Sequence, residues 1–119
     1  MDCSMKLIER TADGVTILDL KGRLVLEDGG DLFLATVNRL VGEGVCNVLV
    51  NFDECTYLDS AGLGILVSKY VTLKNRGGTL KVCNLHRRSF EVLTITRLLS
   101  VFESFPSEAA ALASFRAAT

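Results

Sequence analysis

The chain has 119 residues, the usual size of one domain. Hydrophobic residues make up 49% and charged residues 23%, a globular balance that excludes a disordered chain. The formal net charge is -1 and no basic block occurs. That argues against nucleic acid as the main ligand, because duplex binding rests on phosphate neutralisation.

In chain order, "MDCSMKLIER" carries charges where a signal peptide needs an apolar run, and no later stretch approaches the ~20 apolar residues of a membrane span. A cytoplasmic single domain over residues 1–119, without direct membrane insertion, is expected. "MKLIERTADGVTILDLKG" reads as a β-hairpin turning at Ala12 to Gly14, since Asp-Gly tolerates the positive φ of tight turns, with Gly22 ending the second strand. Asp31 is placed to cap a helix whose apolar positions Leu32, Leu34, Ala35, Val37, Leu40 and Val41 fit a 3.6 period, stopped by Gly42 and Gly44. "NVLVNF" (Asn47 to Phe52) has the look of a strand covered on both faces. After "YLDSAGLGIL", Leu63, Leu66, Val67, Tyr70 and Leu73 recur at helical spacing, Lys69 falls among the polar positions, and Gly77-Gly78 is a stop signal. "TLKVCNL" is a strand. "RRSFEVLTITRL" is a short helix with Phe90, Leu93 and Ile95 inward, and "VFESF" is a last strand. Pro106 or Ser107 opens a closing helix that packs through Ala110, Leu112 and Phe115. The order β-β-α-β-α-β-α-β-α predicts an α/β domain: a mixed, mostly parallel sheet with an N-terminal antiparallel hairpin and about four helices.

The four cysteines, Cys3, Cys46, Cys55 and Cys83, form no C-x-x-C pair. The last three lie in or beside apolar runs and are expected to be reduced and buried. Cys83 and His86 have the spacing of two metal ligands but lack a second pair, so no metal is expected.

The segment Asp59-Ser60-Ala61-Gly62-Leu63-Gly64 admits several chemistries. A nucleophile elbow reads G-x-S-x-G, yet Leu58 stands two before Ser60, and the base for a hydrolase would have to be the single histidine, His86. No Gly-Lys pair follows the glycines, as a phosphate-binding loop requires. A dinucleotide fingerprint would need a glycine at Val67 and an acid near Asn84. Ser60 is a good N-cap, with Asp59 favouring the positive helix end. Gly62 and Gly64 each cost about 1 kcal/mol against alanine inside a helix, and two such breaks at the start of the most apolar helix suit a flat docking surface with an accessible hydroxyl.

These residues resemble a known family. Asp59 to Gly64 is similar to the motif Asp-Ser-[Ser/Thr/Ala]-Gly-Leu-Gly of single-domain STAS proteins of the anti-sigma factor antagonist type. "NVLVNF", "NRGGTLKVCNL" and "VFESFPSEAAAL" match that family in kind and order, so the resemblance covers nearly the whole chain. It implies a binding protein without catalytic residues or cofactors. Ser60 would be the phosphoacceptor. Asp59, Ala61, Gly62, Leu63 and Gly64, with Thr56, Tyr57 and Arg23, would form the partner-binding surface. The implied partners are an anti-sigma factor serine kinase, sequestered while Ser60 is unphosphorylated, and a serine phosphatase that resets the switch. Homodimerisation and nucleotide binding stay open.

The chain departs from the family at two places. Val25 stands where a G-x-L-D pattern commonly has Asp, with Glu27 and Asp28 further on, and "RRSFEVLTITRLLSVF" lacks a Gly often found before the last strand. Val25 motivates an alternative, a STAS interaction subunit of a membrane or lipid-transport complex that does not switch.

Overall fold

The computed structural model describes residues 5–25, 29–98 and 101–117. Strands β1 (Lys6–Ala12) and β2 (Val15–Leu24) form an antiparallel hairpin. Its turn residues Asp13 and Gly14 both have positive φ, 53° and 77°, the geometry expected of Asp-Gly. There follow α1 (Gly30–Gly42), β3 (Asn47–Leu58), α2 (Ser60–Asn75), β4 (Thr79–Cys83), α3 (Arg87–Ile95), β5 (Ser104–Phe105) and α4 (Glu108–Ala117). The strands lie in the order β1-β2-β3-β4-β5, with every pair after the hairpin parallel. The expected mixed α/β sheet is therefore present. No helix among the described residues is long and apolar enough to cross a membrane.

Strand alternation divides the core between two faces. Leu18, Leu20, Val48, Val50, Leu80 and Val82 pack beneath α1, α2 and α3, which contribute Phe33, Val37, Leu40, Leu63, Leu66, Leu73 and Leu93. On the opposite face, Val15, Ile17, Leu49 and Cys83 meet Ala111 and Phe115 of α4. Lys81 is only 4% exposed beneath α4. It donates to the Ser114 hydroxyl, pairs with Glu103 at 3.0 Å and lies 4.5 Å from the centre of the Phe115 ring. These contacts offset the desolvation of a buried ammonium. Beyond α4 the face is polar. Arg10 holds the Asp19 carboxylate at 2.6 and 2.9 Å and also reaches Glu108, while Asn51 donates to Asp19 at 2.8 Å and Asn84 to Asn51 at 3.0 Å. The Arg10 hydrogen bonds hold the Asp19 carboxyl below its ordinary pKa, against the opposing effect of burial.

Several local expectations are corrected. Asp31 does not cap α1; the cap position is Gly29, at φ 94°, and Asp31 lies inside the first turn. The chain arrives there through a Val25–Gly29 bridge, with Gly30 N–H donating to the Val25 carbonyl at 3.1 Å, and this backbone closure sets the helix start. Gly22 does not end β2, which bends through register shifts and runs on to Leu24. β3 extends six residues past Phe52 because Glu54, Cys55, Tyr57 and Leu58 keep pairing with this continuation. Phe90 is 45% exposed and Ile95 81% exposed, because α3 turns Ser89 and Leu93 inward instead. Phe90 lines an open cleft of about 390 Å³ with Asn84, Leu85 and Phe105. β5 keeps only Ser104 and Phe105, while Phe102 leaves the strand to fill the core. In α4 the closest packing falls to Ala111 rather than Ala110. Lys69 is buried, donating to Asn38 Oδ1 at 2.7 Å across the α1–α2 contact. Cys46 is exposed, whereas Cys55 and Cys83 are buried; Cys3, Glu27 and Asp28 lie outside the described residues.

Candidate functional site

The site is the junction where β3 becomes α2. Leu58 is buried at the end of the strand, and Asp59 remains extended, with φ -99° and ψ -178°. Its carboxylate accepts from Gly62 N–H at 2.7 Å and its carbonyl accepts from Leu63 N–H at 2.8 Å. Asp59 is therefore the N-cap, and Ser60, expected to fill that role, is the first helical residue. The side chain that satisfies the third N–H of a helix must stand before the first turn, and its negative charge also suits the positive end of the helix dipole. Relieved of that task, Ser60 is exposed and its hydroxyl makes no hydrogen bond among the described residues.

The two glycines have different structural causes. Gly62 is buried: a Cβ there would overlap the Leu24 carbonyl oxygen and stand 2.9 Å from its carbon and 3.1 Å from Leu58 Cδ1. Its bare backbone lets the start of α2 sit directly on the end of β2. Gly64 is exposed, and a Cβ there would meet nothing within 4 Å. No packing constraint calls for glycine at that position. Leu63 points into the core at 5% exposure and Ala61 is half-buried. The solvent ridge of α2 is thus Ser60, Gly64, Ser68 and Val71, spaced at one-turn intervals, with Val71 48% exposed.

The flanks come from β2, β3 and α3. Arg23 pairs in register with Tyr57, and both Arg23 and Thr56 are exposed. The Thr56 hydroxyl donates to the Gly22 carbonyl at 3.2 Å. Tyr57 is half-buried, and the Arg88 guanidinium lies 4.8 Å from the centre of its ring. The residues expected at the site are therefore gathered at one end of the sheet, apart from the side chain of Leu63 and the backbone of Gly62, which face inward. Arg88 was not legible in the sequence, because only the packing of α3 beside the end of β3 brings it to Tyr57.

The other chemistries find their groups engaged elsewhere. His86 Nε2–H donates to the Asp53 carbonyl at 2.6 Å, ahead of α3, and makes no bond to Ser60. Cys83 lies inside the sheet with Sγ 3.7 Å from Asn51 Oδ1, and burial, reinforced by the carboxylates of Glu108 and Asp19, pushes its thiol up to about 12.

The chain matches the STAS domain family model over residues 7–111. It is 31% identical over 114 residues to BtrV of Bordetella bronchiseptica, a candidate anti-sigma factor antagonist, covering 96% of this chain and 97% of that protein. It shares its fold with a Thermotoga maritima structure also described as a candidate anti-sigma factor antagonist, with TM-score 0.87, 21% identity, and 92% of this chain and 94% of the other covered. The fold also matches the anti-sigma factor antagonist SpoIIAA of Bacillus. Its unphosphorylated form aligns with TM-score 0.80 and 17% identity, covering 94% of this chain and 97% of that one. Its phosphorylated form aligns with TM-score 0.73 and 18% identity, covering 94% and 99%.

Proposed function

The chain belongs to the STAS domain family, and from that premise we propose that it is an anti-sigma factor antagonist, a binding protein that regulates a sigma factor and is switched by phosphorylation of Ser60. The observation that carries this reading is the division of labour between Asp59 and Ser60. Asp59 holds the start of the helix, so the exposed Ser60 hydroxyl is not needed for the fold and is open to a kinase. SpoIIAA, whose fold this chain shares, exists in phosphorylated and unphosphorylated forms.

Unphosphorylated, the ridge from Ser60 to Gly64 receives the anti-sigma factor kinase, with Asp59, Ala61, Thr56, Tyr57 and Arg23 around it. Sequestering that kinase frees its sigma factor for transcription. A phosphate adds about -1.5 to -2 charge at neutral pH. On the first residue of α2 the helix dipole tolerates that charge, and Asp59 already secures the turn, so the fold survives. A partner packed closely over Gly64 meets a bulky, unneutralised anion and leaves. A serine phosphatase restores the binding form, and the cycle runs in the cytoplasm. Gly62 and Leu63 serve by positioning the ridge rather than by touching the partner.

Incubation with the cognate kinase and ATP, followed by mass spectrometry, is expected to place one phosphate on Ser60. Ser60→Asp is expected to lose the kinase and Ser60→Ala to retain it. Phosphate at another residue, or Ser60→Asp binding like the wild type, overturns the reading. Val25 favours a second reading, the interaction subunit that does not switch. A complex surviving both Ser60→Asp and Ser60→Ala selects that one.

A further inference from the structure

The surface at Ser60 is small and poor in side chains, with Gly64 one turn further along α2. A stable interface covers about 800 Å² on each partner and is anchored by a few large residues, Tyr and Arg prominent among them. The anchors must therefore come from beside that surface.

Two features of α3 meet that need. Ile95 is 81% exposed, against 43–48% for Ile8, Leu32, Val71 and Phe90. Arg88 lies seven residues earlier, so the two share one stripe of α3, two turns apart. Ser89 and Leu93 are turned inward, and the Arg88 guanidinium reaches the Tyr57 ring. The stripe therefore begins at Arg88 beside the end of β3 and runs two turns along α3 to Ile95.

Among the described residues, the charge on this stripe has no carboxylate partner. Arg10, Arg39, Arg87 and Arg116 each face a carboxylate: Asp19 and Glu108, Glu9 and Glu43, Glu91, and Asp13 respectively. Arg88 faces an aromatic ring instead and has no carboxylate among the described residues within ion-pairing distance. Glu91, on the neighbouring turn, is committed to Arg87 at 3.2 Å. Stacking on Tyr57 holds the Arg88 guanidinium in place while leaving its N–H donors open to an anion.

We infer that the docking surface extends from Ser60 across Tyr57 onto α3, and that the anti-sigma factor kinase meets it with a carboxylate against Arg88 and an apolar side chain against Ile95. This rests on the reading of Ser60 as the switch. It adds a recognition element outside the serine motif, one that the sequence around Ser60 does not contain.

The test is the affinity of the purified kinase from the same genome for wild type, Arg88→Glu, Ile95→Asp, Ser60→Asp and the control Arg76→Glu. Arg76 is exposed at the opposite end of α2. Circular dichroism verifies that each variant folds, and Ile95→Ala serves as a milder form of Ile95→Asp. Arg88→Glu and Ile95→Asp are each expected to weaken binding at least tenfold, Arg88→Glu also flattening its salt dependence, while Arg76→Glu changes it less than twofold. If Ser60→Asp abolishes binding but both α3 variants stay within twofold of wild type, the inference falls and the Ser60 reading stands. If Ser60→Asp binds like wild type, the reading fails and the inference with it. If sedimentation shows a wild-type dimer that Ile95→Asp dissolves, a second copy covers the stripe and the inference is overturned.

Discussion

Replacing Gly62 and Gly64 by alanine, one at a time, separates the two roles these residues play. At position 62 the added methyl overlaps the Leu24 carbonyl oxygen, 2.9 Å from its carbon. That group belongs to the backbone of β2, paired at this point with Leu58 of β3, so it cannot swing aside. The start of α2 must lift instead. Overpacking of this kind costs about 1–3 kcal/mol and at times more, and the roughly 1 kcal/mol by which alanine favours a helix offsets only part of it. Because the methyl overlaps a fixed backbone oxygen outright, the cost lies at the upper end, about 3 kcal/mol, and the net loss is about 2 kcal/mol. At position 64 the methyl enters open space, and only the helix-propensity gain of about 1 kcal/mol remains. In a domain of this size 1 kcal/mol moves the melting temperature by about 4 °C. By scanning calorimetry, Gly62→Ala is expected to melt about 8 °C below wild type and Gly64→Ala about 4 °C above it. Kinase binding should move the other way for Gly64→Ala, becoming weaker in a more stable protein. Gly62→Ala melting at or above wild type would refute the close approach to Leu24. A stabilised Gly64→Ala that binds the kinase like wild type would remove Gly64 from the docking surface.

Three further outcomes are expected. Asp59→Ala should lose about 1 kcal/mol by urea denaturation through loss of the cap on Gly62, while Asp59→Asn keeps most of the stability. The Asp19 carboxyl is held below its ordinary pKa by Arg10, so its stabilisation is fully present above the unfolded value of about 4 and fades as pH falls through the lower folded value. Melting temperatures of wild type and Asp19→Asn should therefore differ most near neutral pH and converge in acid; a gap that persists at low pH would contradict the carboxylate's role. Burial raises the thiols of Cys55 and Cys83, the latter to about 12. Iodoacetamide at pH 8 should then alkylate the exposed Cys46 and spare these two until the protein is unfolded, as read by peptide mass spectrometry.

Much of the fold was legible because its signals are local. The Asp-Gly turn, the β-branched run of β3, the helical spacing of α2 and the Gly77-Gly78 stop each lie within one element, where periodicity and φ preferences act. The motif from Asp59 to Gly64 was legible for the same reason. The local reading went astray where two side chains could serve one role, as with Asp59 and Ser60 at the cap. It also missed where packing overrode composition: Lys69 bonds across to Asn38, and Phe90 and Ile95 are left outside while Ser89 goes in.

The sequence by itself determined the α/β order and an exposed-serine motif at a strand-to-helix junction. Only the tertiary structure decided that Gly62 is a packing residue and Gly64 a surface one, because the difference lies in the Leu24 carbonyl, 38 positions away along the chain. It alone set Arg88 on Tyr57, since that contact joins elements separated by a whole helix and strand. Propensity and periodicity fix what each segment becomes. Which surfaces then meet is settled by steric fit and burial between segments that no short window of sequence contains together.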